Sequence, residues 1–438
     1  MEGQNKKRKR IFIFGQCTLH WGRMEFGNIG NYYIAKPMFE ELRRVFPSET
    51  IVTTMQFSEA FCDQYNLKTV PMEWYYDFNS NNNLEVAKEE YEAACKSIDI
   101  ESEFLKEIKK ADLVIDFSGD IWGDNADFLG KDRFITGIYK DLTAQALKPT
   151  VLFSGSPGPF NSKKDIGFVK KCFEGFDLVI NREHISTQLL QKQGFSLSRE
   201  RDFACPSFLF QPAGPCVVKE AVDDDTLFQK DNPKIGVILC GWNFERGPFD
   251  VWPREEEEYA DFVRMLENLI HKYHADIYLM SHSNGFEIPP AKFSLKHGRD
   301  FPIVQQLKNI LDKRGYDSQV KLLEGIYTPE ITKGIISNFD MLISGRIHGA
   351  VAGLSQGIPT VIIDYGHDPK AHKLRGFADV AEAAEFVADP NSLESMMEKT
   401  EKCFENRETI HKHLLNHMID VKQSAREQFD YLKQLFNS

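Results

Sequence analysis

Short apolar runs separated by longer amphipathic stretches recur along this chain, and no other feature limits its fold so strongly. Runs that stay apolar on successive residues suit strands buried on both faces. Parallel strands also need a crossover of a dozen or more residues, usually a helix. Residues 11–14, 51–55, 113–117, 151–153 and 178–180 read as strands of a first set, with the stretch 134–147 as its plainest helix. A second set follows at 235–239, 277–280, 320–323, 341–343 and 360–363. Its largest helix spans 255–273, apolar at Phe262, Leu266 and Ile270.

The rhythm breaks over residues 63–96, where asparagines at 79–83 and the aromatics Trp74, Tyr75 and Tyr76 suggest an excursion over a cleft. Packing in the core is the safer reading of those three rings. A second break, Gln211-Pro212-Ala213-Gly214-Pro215 followed by Asp223-Asp224-Asp225, reads as a linker. Beyond Asp389-Pro390 the chain reads as helical. A length of 438 residues exceeds what one core serves. The expectation is an α/β chain of two Rossmann-like domains facing a cleft, residues 1–215 and 230–438, the second ending in helices.

Charge narrows the partners. The 53 basic and 65 acidic side chains leave a formal net charge of -12, a field that repels nucleic acid. The basic run at 6–10 reads as a lead into the first strand. No segment approaches the ~20 apolar residues that cross a bilayer, and the run 11–14 is too short for a signal peptide. A cytoplasmic protein without a transmembrane anchor is expected. Eight scattered cysteines show no CxxC pair, so buried thiols are expected before zinc or disulfides.

The segment richest in chemistry is Ser344-Gly345-Arg346-Ile347-His348-Gly349, directly after the strand at 341–343. Ser344-Gly345 forms the turn, and a helix of small residues begins near Ile347. Ligands of open α/β sheets bind at such strand ends, and free N–H groups of a helix start favour an anion. Arg346 and His348 are cationic types at the end of the helix dipole that disfavours them, so a bound phosphate or carboxylate explains both. Arg346 would clamp two oxygens and His348 would act as general acid. The competing reading pairs Arg346 with a nearby carboxylate and packs His348 under a loop.

With Gly357-Ile358-Pro359 and Asp368-Pro369-Lys370, this segment resembles the polysaccharide pyruvyl transferase family. The likeness continues in Gly27-Asn28-Ile29-Gly30-Asn31, in the glycine-rich residues 151–159 and in Asp177-Leu178-Val179-Ile180-Asn181-Arg182-Glu183. The resemblance implies the fold of B-type glycosyltransferases. It also implies transfer of the enolpyruvyl unit of phosphoenolpyruvate to two hydroxyls of a saccharide, giving a cyclic ketal in surface polysaccharide synthesis, with no metal or organic cofactor. By likeness Arg346 and Arg182 hold the donor, with Lys370 a further candidate, and His348 is catalytic. A lipid-linked acceptor would bring such an enzyme to the inner membrane surface. Departures cluster on the expected acceptor side, where Asn31 replaces the usual acid and Phe117-Ser118-Gly119-Asp120 replaces a glycine run. An extra His367 enters the element before Asp368.

Other residues follow from position. Arg182 directly follows a strand, against the alternative of a salt bridge with Glu183 or the linker acids. His282 follows the strand at 277–280 and is placed with donor or acceptor, against the alternative of a loop histidine with no role. Asn28, Asn31 and Asp120 are assigned to the acceptor. Asp116, Asp120 and Asp124 recur every four residues, but the spacing fits no calcium loop or two-metal site, so surface or acceptor-binding acids are expected. Two alternatives are a nucleotide-sugar-dependent glycosyltransferase and a non-catalytic protein that binds an anionic metabolite.

Overall fold

The computed structural model describes residues 9–158, 160, 166–229, 232–245, 251–365 and 371–437. The chain forms two compact units: unit 1 comprises Met1–Met24, Met38–Cys205 and Ala425–Ser438, and unit 2 comprises Glu25–Pro37 and Pro206–Ser424. Expected limits of 1–215 and 230–438 provide for neither the early passage at 25–37 nor the late return at 425. The helices Ile29–Val45 and Arg407–Asn437 explain both. In the first, Ile29 and Tyr33 bury in the core of unit 2, whereas Met38, Phe39 and Leu42, beyond Pro37, bury in unit 1. In the second, Phe429 packs on Phe153 of unit 1 with ring centroids 5.1 Å apart.

Unit 1 holds the strands β1 Arg10–Phe14, β2 Thr50–Thr53, β3 Leu67–Thr69, β4 Leu113–Asp116, β5 Thr150–Gly155, β6 Leu178–Asn181 and β7 Glu200–Asp202. They form one sheet in the order β3-β2-β1-β4-β5-β6-β7, parallel throughout. Sequence periodicity finds the central strands and misses β3 and β7. These edge strands are half-exposed, and Leu67-Lys68-Thr69 and Glu200-Arg201-Asp202 carry almost no apolar signal. The supposed excursion at 63–96 is ordered structure. It contains β3 and the helix Asn83–Lys96, and Tyr75 and Tyr76 are buried in the core with Phe12, Phe14 and Phe104.

Unit 2 holds β8 Lys234–Ile238, β9 Asp276–Leu279, β10 Asn284–Glu287, β11 Ser294–His297, β12 Val320–Leu322, β13 Met341–Ser344, β14 Thr360–Ile363 and β15 Val387–Ala388. Six of them form a sheet in the order β12-β9-β8-β13-β14-β15, again all parallel. The antiparallel pair β10–β11 is a separate hairpin that periodicity does not reveal. The expected linker is also structured. Ala213 N–H donates to the Glu330 carbonyl at 2.9 Å, and a helix runs Pro215–Ala221, burying Val218. Proline at the first helical position lacks only an N–H that would be unpaired there.

In both sheets the strand order reverses beside the first strand, between β1 and β4 and between β8 and β13. Loops diverge at such a reversal and leave a crevice at the carboxyl ends of the strands, the usual place for a ligand.

Candidate functional site

The crevice of unit 2 is built first from backbone. Ser344, at the end of β13, donates through Oγ to the Arg346 carbonyl at 2.8 Å, which closes the turn. Asn243, after β8, accepts the Cys240 N–H at 2.8 Å and directs its amide to the carbonyls of Gly345, Ile363 and Asp364, each at 3.3 Å. Residue 345 must then be glycine, because a Cβ there would lie 1.9 Å from Asn243 Oδ1. At Gly349 a Cβ would lie 2.6 Å from Ser344 Oγ and would push aside the hydroxyl that closes the turn. The helix Ile347–Leu354 starts at Arg346, whose side chain makes no capping hydrogen bond to it.

Arg346 is not the free cation that sequence reasoning expects. Its Nε donates to Asp300 Oδ2 at 3.0 Å and its Nη2 to Asp300 Oδ1, a two-pronged pair with Asp300 fully buried. Burial pushes the guanidinium pKa down, but Asp300 outweighs that and holds it above its ordinary value. The pair is charge-neutral, so Arg346 brings no net positive charge to this crevice. Of the two readings open to the sequence, pairing with a carboxylate is the one found. Asp300 itself carries no sequence signal, lying 46 residues away on another loop. Its N–H donates to Ser283 Oγ at 3.1 Å, which ties the loop after β9 to the same pair.

That loop carries His282, fully buried, with neither ring nitrogen hydrogen-bonded among the described residues. Burial lowers its pKa to about 3, against the pull of Asp300 and with the push of Arg346. The imidazole is neutral and lies edge-on to Tyr33 with centroids 5.3 Å apart.

His348 is half-buried on the first turn of its helix, 5.7 Å from the Phe377 ring. Its other neighbour is unexpected. A Cβ at Gly30 would lie 2.7 Å from His348 Nδ1 and 2.9 Å from its Cβ, so Gly30, at the start of the helix Ile29–Val45, packs directly on His348. Asn28 Oδ1 accepts the Gly30 N–H at 3.0 Å, capping the helix Ile29–Val45, and the Asn28 backbone bridges to Ser283. Sequence reasoning places this segment with the first domain. Tertiary packing places Asn28 and Asn31 in unit 2, the unit that holds Ser344, Gly345, Arg346, His348, Gly349 and His282.

Arg182 and Asp120 belong to unit 1. Arg182 is buried at the end of β6, its Nε donating to Ser156 Oγ at 2.9 Å and its Nη2 3.7 Å from Asp120 Oδ1. Its carboxylate partner is therefore Asp120, which sequence reasoning treats as a separate acceptor residue. Glu183 instead caps the next helix, accepting from Ser186 N–H at 3.0 Å. Asp116 is not a surface acid: it is fully buried, pushed up to about 6 by burial, and interacts with Asp141, which burial raises further. No cluster of metal-binding side chains occurs among the described residues. Among them also, no helix is long and apolar enough to cross a membrane. Cys17, Cys172, Cys205, Cys240 and Cys403 are buried free thiols, while Cys95 and Cys216 are exposed. Lys370 and the rest of the Asp368-Pro369-Lys370 element lie outside the described residues.

A family model described as polysaccharide pyruvyl transferase matches residues 28–367, well over half of the chain. None of the curated proteins matches the sequence. Among solved structures, a glycosyltransferase from Rickettsia africae is 13% identical, with TM-score 0.54 and 98% of each chain covered. The Anabaena protein Alr3699/HepE, solved with UDP and glucose, is 12% identical, with TM-score 0.57 over 98% of this chain and 100% of its own. A UDP-GlcNAc 2-epimerase from Neisseria meningitidis is 14% identical, with TM-score 0.54 over 98% and 99%. At such identities the likeness is one of fold: two parallel-sheet α/β domains of the B-type glycosyltransferase kind.

Proposed function

Because this chain belongs to the polysaccharide pyruvyl transferase family, and is thus a transferase, we propose that it moves the enolpyruvyl unit of phosphoenolpyruvate onto a saccharide to form a pyruvate ketal. The observation that carries this reading is the uncapped start of helix Ile347–Leu354 at the strand-order reversal of unit 2, with His348 on its first turn. Phosphoenolpyruvate concentrates negative charge on few atoms, and helix-start N–H groups are suited to hold its phosphate.

His348 would protonate the methylene carbon of the donor, which makes C2 electrophilic. One sugar hydroxyl adds to C2 and loses its proton. Inorganic phosphate then leaves, and a second hydroxyl adds to close the ketal ring. Fixed dipoles around C2 lower the cost of the charge that builds there. Arg346, neutralised by Asp300, serves this chemistry as a fixed hydrogen-bonding edge, and Lys370 is assigned as the cation that balances the donor. His282, Ser344, Gly345 and Gly349 are assigned to the same donor site. Asn28 and Asn31, flanking Gly30 in sequence, are assigned to the acceptor. In unit 1, Arg182 is assigned to an anionic group of a substrate and Asp120 to a sugar hydroxyl. No metal or organic cofactor enters this scheme. The acceptor is a saccharide, free or lipid-linked, and the lipid-linked form would call the enzyme to the inner membrane surface.

The test is calorimetric titration of the purified protein with phosphoenolpyruvate and, separately, with uridine diphosphate. Phosphoenolpyruvate should bind and uridine diphosphate should not. Tight binding of the nucleotide without binding of phosphoenolpyruvate would overturn the proposal in favour of a nucleotide-sugar glycosyltransferase.

A further inference from the structure

Unit 2 contains an open groove of about 620 Å³ that none of the residues above lines. One wall is the helix Phe301–Lys313, whose 13 residues make it about 20 Å long. The other is the segment that begins with Trp252 and Pro253. The first residue of that helix to line the groove is Pro302, two residues after Asp300 in sequence.

The lining has three properties. First, it presents an aromatic face: Trp252 is 42% exposed, a large apolar surface to leave in water. Second, Gln305 and Asn309 are exposed one helical turn apart on the same wall, and each amide offers both donors and an acceptor. Third, its charges are balanced at home. Lys313 pairs with Glu256 and Asp312 pairs with Lys308. A phosphate or an acidic polymer would find no spare cation among these residues.

The segment carrying Trp252 is also held in place. Gln306 accepts the Arg254 N–H at 2.9 Å and donates to the Arg254 carbonyl, as a neighbouring strand would. Tyr259 adds its hydroxyl to the same Gln306 Oε1 at 3.3 Å. The backbone two residues beyond the indole is therefore tied to this helix by specific bonds.

An apolar ring face beside groups that both donate and accept, with no net charge, matches a neutral saccharide. The C–H face of a sugar ring packs on an indole, and its hydroxyls pair with amides. We propose that this groove is an extended subsite for a neutral oligosaccharide, with Trp252 as the stacking platform and Gln305 and Asn309 as the hydroxyl-reading amides. It rests on the reading of the chain as a saccharide-modifying transferase, and it assigns the groove to sugar units beyond the one that reacts.

The full-length protein would be titrated calorimetrically with neutral glucose and galactose oligomers of increasing length, and separately with phosphoenolpyruvate. Affinity should rise with oligomer length. In Trp252→Ala it should fall about tenfold for the longer oligomers, while Trp252→Phe, which keeps a ring, should stay within about twofold of wild type. Phosphoenolpyruvate binding should be the same in all three proteins. Length-independent affinity, or equal oligomer binding by wild type and Trp252→Ala, would overturn the subsite. Tighter binding of inorganic polyphosphate than of any neutral oligomer would do the same, as would self-association that Trp252→Ala abolishes. If wild type fails to bind phosphoenolpyruvate yet binds oligomers through Trp252, the subsite stands and the donor assignment falls.

Discussion

Replacing Asp300 by asparagine strands the Arg346 guanidinium in a buried place without its counter-charge. Both side chains are almost out of reach of solvent, at 0% and 7% exposed, so water cannot replace the lost partner. Breaking a buried ion pair from one side costs about 3–5 kcal/mol. Asparagine still offers one oxygen to Arg346 Nε, which favours a value near 3 kcal/mol. Unit 2 has about 230 residues, and at that size each kcal/mol moves the melting temperature by roughly 2–4 °C. Differential scanning calorimetry should therefore show the unit 2 transition of Asp300→Asn lowered by roughly 6–12 °C. Adding Arg346→Met to that variant removes the stranded charge and should recover much of the loss. A fall of less than roughly 2 °C, or a double variant no more stable than the single one, would refute the buried, mutually dependent pair.

His348→Ala should leave phosphoenolpyruvate affinity near normal while phosphate release falls by roughly 10²–10⁴, the usual contribution of a positioned general acid; full turnover by the variant would remove His348 from that role. Gly30→Ala puts a methyl 2.7 Å from His348 Nδ1 and 2.9 Å from its Cβ, so the imidazole must move as a whole. The histidine Cβ cannot swing aside, so the variant should lose about 1–3 kcal/mol of stability and its kcat should fall by roughly 10², and an unchanged kcat would show that Gly30 does not set the imidazole. His282 gives a stability dependence on pH. Its folded pKa of about 3 lies below the unfolded value near 6.5, so the unfolded chain takes up the proton first and stability falls as pH drops below 6.5. By pH 5 the loss is about 2 kcal/mol. Urea denaturation at pH 7.5 and pH 5 should show wild type losing that much more than His282→Asn, and equal losses would mean that the imidazole is solvated.

Local pattern carries a large part of this molecule. The apolar runs at 11–14, 113–117, 235–239 and 341–343 announce central strands because those strands are buried on both faces and need apolar residues throughout. The helix start after Ser344-Gly345 is legible for the same reason: strand, glycine turn and small-residue helix are adjacent in sequence. Edge strands β3 and β7 are not legible, since half of each faces water and their side chains do not have to be apolar.

What the sequence determined by itself is the α/β class with two parallel sheets, and the strand, glycine turn and small-residue helix at 341–354. Only the tertiary structure decided that Arg346 is neutralised by Asp300, that Gly30 packs on His348, and that Asn243 forces glycine at 345. Each of those contacts joins residues brought together by the strand order β12-β9-β8-β13-β14-β15 and by the passage of residues 25–37 into unit 2. Periodicity reports how a residue faces its own strand or helix. Which distant loop stands opposite depends on how the strands are ordered across the sheet, and that is settled only when the whole sheet assembles.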